Sequence, residues 1–295
     1  MDALSQLTDR AFAIHAQDAA AAAALIADGV PAALDQADSG SLESALRAIE
    51  HIGIGHLADA DWVRRMMALV APQQARAPSL AVALARGEAA LALLAGEDPD
   101  LALLPPAERV RAHANPALGR ARQGDIEGAR RLLDLATARA AEADTDPPVR
   151  RAIAALANNL ASDIRDTLQA PPDPAAVALM LEAATRSRAA WAEVGGWLEV
   201  ERADWLLAMC HASAGLGREA LRHAQATLAA CQVHGGDDFE FCFAWQAMAF
   251  AALAAQDRTA ALQARAAMAE RAGHLGDAGD QQYAREQLAL IDAAL

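Results

Sequence analysis

Apolar positions recur along this chain at the three- and four-residue spacing of a helix face. Leu4, Leu7, Ala11, Ile14 and Leu25 share such a face and predict a helix over 3–28. Gly29 is expected to end it, and Pro31 to open a short helix to Ala37. Ser41 is read as the N-cap of a helix carrying Leu42, Leu46, Ile49 and Ile52, with Gly53 and Gly55 breaking the pattern. Asp59 or Asp61 caps the next apolar face, Trp62, Met66, Leu69 and Val70. Pro72 to Pro78 connects it to a helix over 79–94. Gly96 to Pro106 is the main break of the N-terminal half, with at most one turn at Leu101–Leu104. A helix over 107–122 follows, kinked or interrupted at Pro116. Its partner runs from Ile126 to near Asp144, and the next helix from about Val149 to Leu168. Asp173 as N-cap and Pro174 at the first helical position open a helix that runs to Val194 and stops at Gly195-Gly196. A last helix starts at Asp280.

Between these, Glu199 to Arg271 holds one pattern twice. Leu207-Ala208, Gly215 and Glu219-Ala220-Leu221 return 41 residues later as Met248-Ala249, Gln256-Asp257 and Ala260-Ala261-Leu262. Helix, tight turn and second helix, with small residues at the crossing, make an α-hairpin repeat. A single hairpin cannot bury its face alone, so hairpins stack. Composition strengthens this all-α reading. The chain is 54% hydrophobic but only 4% aromatic. Much of the hydrophobic share is Ala, which forms helices well and lets axes approach closely.

Residues along 107–272 resemble tetratricopeptide repeats, in the longer-period form of bacterial maltose-activator-type regulators. The resemblance rests on small residues in the first helices (Ala117, Ala161, Ala208, Ala249) and early in the second (Ala129, Ala176, Ala220, Ala261). The turns Gly124-Asp125, Gly215 and Gln256-Asp257 match too, as does Trp245 in the aromatic slot of the fourth hairpin. Met268 departs from the pattern, and the helix-ending Pro is mostly missing. The resemblance implies a right-handed α-solenoid with a C-terminal capping helix. Residues 1–104 form an N-terminal helical region of degenerate repeats or a small bundle, and 105–295 the repeats with their cap. Without a Gly-x4-Gly-Lys-Ser/Thr loop, the regulators' nucleotide-binding module does not carry over, and neither does their DNA-binding module.

In that family the first helices line a concave groove. Helical spacing then places Asn158 and Arg165, Arg202, Trp205 and Met209, and Phe243, Gln246 and Phe250 on the groove face. Eight of the eleven aromatics lie between Trp191 and Phe250. They serve either as core filler or as binding anchors. Arg165 and Arg202 make a local positive spot for an acidic group, unless they pair with Asp166, Glu199 or Glu201.

Charge and candidate chemistry narrow the partners. Net charge is −14, and all 25 basic residues are Arg without a basic run, which argues against nucleic acid and anionic membranes. No signal peptide is read at the N-terminus. The three cysteines, Cys210, Cys231 and Cys242, lack disulfide or zinc spacing and fit a cytoplasmic protein. His51 and His56 are five apart near Glu50 and Asp59, but three or four converging ligands are not evident, so neither a metal nor a cofactor is expected. No acid, base and nucleophile converge either, so the chain is not read as an enzyme. The expected function is a scaffold that binds a protein or peptide segment, as monomer or homodimer. A self-associating structural protein or a ligand-sensing regulatory module is the alternative.

Overall fold

The computed structural model describes residues 2–143 and 146–295, and every regular element among them is helical. The expected end of a helix near Asp144 lies outside the described residues. Among the described residues no helix is long and apolar enough to cross a membrane. Contacts divide the chain into two compact units, 1–156 and 157–295, with the division inside one helix, α9 (Pro147–Thr167).

In the first unit, α1 (Ala3–Ile14) and α2 (Ala19–Ala33) pack as a pair, and α1 also lies on α3 (Ser39–Glu50). The expected single helix over 3–28 is thus two, because the Asp18 carboxylate takes the Ala21 N–H at 2.8 Å and starts a new helix. Gly29 does not end α2. It lies where a Cβ would sit 2.6 Å from Leu7, so it permits close approach to α1, and Pro31 is carried inside the helix. Asp38, not Ser41, caps α3, accepting the Ser41 N–H at 2.8 Å.

Gly53 and Gly55 do not break the chain. They lie in a π-helical turn, His51–His56, that continues α3 and packs against α2, α3, α4 (Ala60–Val70), α5 (Leu80–Ala95) and α7 (Ala114–Arg122). A Cβ on Gly53 would meet Val63 at 2.3 Å, and one on Gly119 of α7 would meet the Ile54 carbonyl oxygen at 2.4 Å. The wide turn is therefore clamped by two glycine-sized gaps. The helix expected over 107–122 is interrupted, but at Ala112-His113, between α6 (Pro106–Arg111) and α7. Pro116 sits in the first turn of α7, where an N–H has little to bond. Arg86 of α5 ties α3 to α6: its Nε and Nη2 donate to the Glu50 carboxylate at 3.0 and 2.8 Å, and its Nη1 to Glu108 at 2.6 Å. The unit ends with α8 (Ile126–Glu142), packed on α6 and α7, and the first part of α9.

The second unit follows the repeat. It holds α10 (Pro174–Val194), α11 (Trp197–Ser213), α12 (Gly217–His234), α13 (Asp238–Ala254), α14 (Arg258–Ala272) and α15 (Ala278–Ala294). Asp173 caps α10, with Pro174 at its first position, as expected. Asp277, not Asp280, caps α15. Consecutive helices pack, and α13 also contacts both α11 and α15, so first helices are neighbours of first helices. Ala208 and Ala249 are fully buried, as are Ala220 and Ala261. Small residues thus occupy the positions where the helices of each hairpin meet.

Candidate functional site

The residues expected on the groove face fall along the second half of α9, α11 and α13, but they do different work. Trp205 Nε1 donates to Gln246 Oε1 at 3.2 Å, and Gln246 Nε2 donates to Gln287 Oε1 at 2.8 Å. Each step spans 41 residues, so the sequence repeat is also a hydrogen-bond ladder across three neighbouring helices. Gln246 is fully buried and Met209 nearly so; both support the face rather than line it. Trp205, Phe243 and Phe250 are half-buried, as is Asn158, whose amide donates to Asn159 at 3.3 Å. Phe243 packs edge-on against Phe239 at 4.6 Å and tilted against Tyr283 at 5.6 Å.

Neither arginine of this face is a free positive charge. Arg165 donates twice to the Asp166 carboxylate, at 3.0 and 2.6 Å, while its guanidinium lies 5.2 Å over the Trp205 ring. Its Nη1 is buried without a hydrogen-bond partner. Arg202 is exposed and pairs with Glu240 at 2.5 Å, over the Phe239 ring at 5.7 Å.

Beneath the same face two carboxyls are buried close together. Burial, then the charge of Glu240, push Glu201 up to about 8. Cys231 Sγ donates to Glu201 Oε1 at 3.6 Å, and Glu201 Oε2 has no partner. Asp204 instead takes Arg188 Nε at 2.8 Å and His223 Nδ1 at 3.0 Å, a satisfied internal network. The three cysteines are free and buried. Burial pushes the thiols of Cys210 and Cys231 up to about 12 and that of Cys242 up to about 11, which keeps all three in the unreactive thiol form near neutral pH.

The first unit holds the one group of three potential metal ligands among the described residues: His15, His51 and His56, whose ligand atoms lie within 4.8 Å of one another. The sequence showed no third ligand converging on His51 and His56, and on a continuous α-helix residues five apart point to different sides. The π turn closes with longer-range bonds, Leu57 N–H to the Ile52 carbonyl at 3.0 Å, and so brings His51 and His56 to one side. His15 arrives from the C-terminal cap of α1 and was not marked by any sequence motif. His51 Nε2 stands 3.2 Å from His15 Nε2 and 3.2 Å from His56 Nε2. All three rings are partly buried, with Phe12 packed on His15 and His51. Burial, reinforced by the charges of His15 and Arg122 against an Asn115 hydrogen bond, pushes His51 down to about 4. Burial and the charges of His51, Arg122 and His15 push His56 down to about 3. Both rings are therefore neutral near pH 7.

A scan against protein-family models finds no match for this chain, and neither does a search of curated proteins.

Proposed function

We propose that residues 157–295 are a tetratricopeptide-like binding module that holds a protein or peptide segment on the face of α11, α13 and α15. The observation that carries this reading is the ladder Trp205–Gln246–Gln287, which fixes the register of three neighbouring helices and leaves half-buried Trp205, Phe243 and Phe250 beside it. Rigid aromatics that keep part of their surface exposed are the usual anchors of a recognition surface. Because Arg165 and Arg202 already hold Asp166 and Glu240, apolar side chains supply most of the grip. Arg165 is itself mostly buried, with Nη1 shut off from the surface. An acidic residue of the segment would have to compete with Asp166 for this arginine. Self-association through the same face is the rival reading.

The test is site-specific photo-crosslinking in the native cell. A benzophenone side chain at Phe243 or Phe250 is compared with one at Val233, an exposed position on α12. Discrete crosslinked partners from the α13 positions alone support the module. A crosslinked homodimer favours self-association, and identical products from both helices sink the proposed face. Arg165→Ala with Arg202→Ala should weaken capture of the same partner while the protein stays folded. Unchanged capture with a lower melting temperature would make both arginines structural.

A further inference from the structure

We propose that His15, His51 and His56 form a zinc-class metal site, with three imidazole Nε2 ligands and a fourth position open to water or a small anion.

The Nδ1 partners of His15 and His51 place their ring protons. His15 Nδ1 lies 2.6 Å from the Phe12 carbonyl oxygen, which only accepts, so Nδ1 carries the hydrogen. His51 Nδ1 lies 3.2 Å from Asn115 Oδ1, again an acceptor. In a neutral ring each Nε2 then presents a lone pair. These two lone pairs face each other across 3.2 Å. His56 can donate an Nε2 hydrogen to His51 at 3.2 Å, but no hydrogen remains for the contact between His15 and His51. The Nε2 atoms thus turn toward one another rather than toward separate protein partners, and one cation placed among them satisfies every lone pair.

The dimensions agree with that occupant. Zinc–imidazole bonds of 2.0–2.1 Å at a tetrahedral angle place neighbouring nitrogens about 3.3 Å apart. Two of the three pairs, His15–His51 and His51–His56, stand at 3.2 Å, and the three ligand atoms all lie within 4.8 Å of one another, so His51 already has bonding spacing to both partners. The Nδ1 bonds of His15 and His51 to a carbonyl and a carboxamide are the outer-shell contacts that orient metal-binding imidazoles. His56 lacks such a contact, since its Nδ1 is buried without a partner. An all-imidazole set suits zinc and its late first-row neighbours over magnesium or calcium, which prefer oxygen. Arg122 contributes positive potential at His51 and His56. That charge opposes a bare dication and favours hydroxide or another anion at the fourth position. The π turn is what makes the set possible, and such turns are frequent at functional sites.

The experiment uses the full chain, stripped with a chelator and titrated with zinc against a fluorescent competitor. One zinc per chain should bind, and cobalt in its place should show the intense visible bands of four-coordination. His15→Ala should weaken zinc binding roughly 100-fold, and Asn115→Ala about 10-fold through the outer shell. His274→Ala, an exposed position in the other unit, should change nothing. His15 stands at a helix end and its replacement keeps the buried π turn intact, so the test survives if His51→Ala fails to fold. No stoichiometric zinc, weak six-coordinate cobalt bands, or equal affinity in wild type and His15→Ala would each overturn the site.

Discussion

The two units solve the same problem with opposite materials. The first, residues 1–156, packs large aliphatic side chains into one cluster running from Leu4 to Leu91, with Leu42, Leu46, Ile49, Ile52 and Ile54 fully buried around the π turn. The second, residues 157–295, closes its hairpins on alanine. Its α11–α13 cluster is built on Ala208, Ala220, Ala224, Ala247 and Ala251 with Met209, and a neighbouring cluster on α13–α15 adds Met268, Leu275 and Ile291 to Ala249, Ala264 and Ala284. It also buries more polar chemistry at its centre, Glu201, Asp204, Glu240 and Gln246. A core of bulky residues tolerates an irregular backbone, because side chains fill whatever space the helices leave. A core of alanines has axes too close for that freedom, so it repeats.

The difference predicts opposite weaknesses. Truncation should hurt the first unit most: Leu46→Ala removes a fully buried side chain and should cost about 2–5 kcal/mol. Enlargement should hurt the second: Ala208→Phe or Ala249→Phe should overpack a helix crossing and cost about 1–3 kcal/mol. Denaturant unfolding of the variants checks both. If Ala249→Phe is as stable as wild type, the alanines do not mark close crossings and the comparison fails.

The same contrast says what could be read ahead of the structure. The 41-residue repeat, the Asp173 cap with Pro174, and the stop at Gly195-Gly196 are local signals that packing only reinforces. In the first unit, local signals were overruled. Gly29, Gly53 and Gly55 look like breakers, yet Gly29 and Gly53 are where a neighbouring helix needs the missing Cβ, next to Leu7 in one case and Trp62 and Val63 in the other. Helical spacing brought Trp205 and Gln246 into one set, but the burial of Gln246 and Met209 and the pairing of Arg202 with Glu240 depend on α13 and α15 meeting α11. The histidine cluster was illegible. It needs a π turn to realign His51 with His56, and a ring from α1 that is 36 residues away from His51.

Acid and base should separate the units as well. Burial holds His113, at the α6–α7 junction, below the usual histidine range, with its Nδ1 bonded to the Arg109 carbonyl at 2.8 Å. The folded state binds this proton less readily than the unfolded chain. Its contribution is therefore present above the ordinary histidine value near 6.5 and is lost as pH falls below it. Glu201 works in reverse. Raised to about 8, it stays protonated in the fold while the unfolded chain ionises from 4.5 upward, so stability falls as pH climbs between those values. Melting temperatures of His113→Gln and Glu201→Gln relative to wild type, followed from pH 5 to pH 8, should diverge in opposite directions. The His113 variant should gain on wild type at the acid end, the Glu201 variant at the basic end. Parallel curves would mean that neither group differs between folded and unfolded chains.

The finest comparison lies within the second unit, between alanine packing and the polar ladder that crosses it. Gln246 is fully buried and both its amide atoms are bonded, to the Trp205 indole and to Gln287. Removing one end should cost more than removing the middle and the end together. Gln287→Leu strands the Gln246 amide without an acceptor and should destabilise by about 1–2 kcal/mol. Gln246→Leu strands the Trp205 N–H and the Gln287 side chain, with a similar loss. In the double variant the two introduced leucines would meet as apolar surfaces, and only the indole N–H would remain unpaired. The coupling in a double-mutant cycle should accordingly be favourable, of the order of 1 kcal/mol, for residues in direct contact. Strict additivity of the two single losses would show that the ladder adds nothing beyond two independent side chains. Residues 246 and 287 would then share a sequence period without sharing an interaction energy.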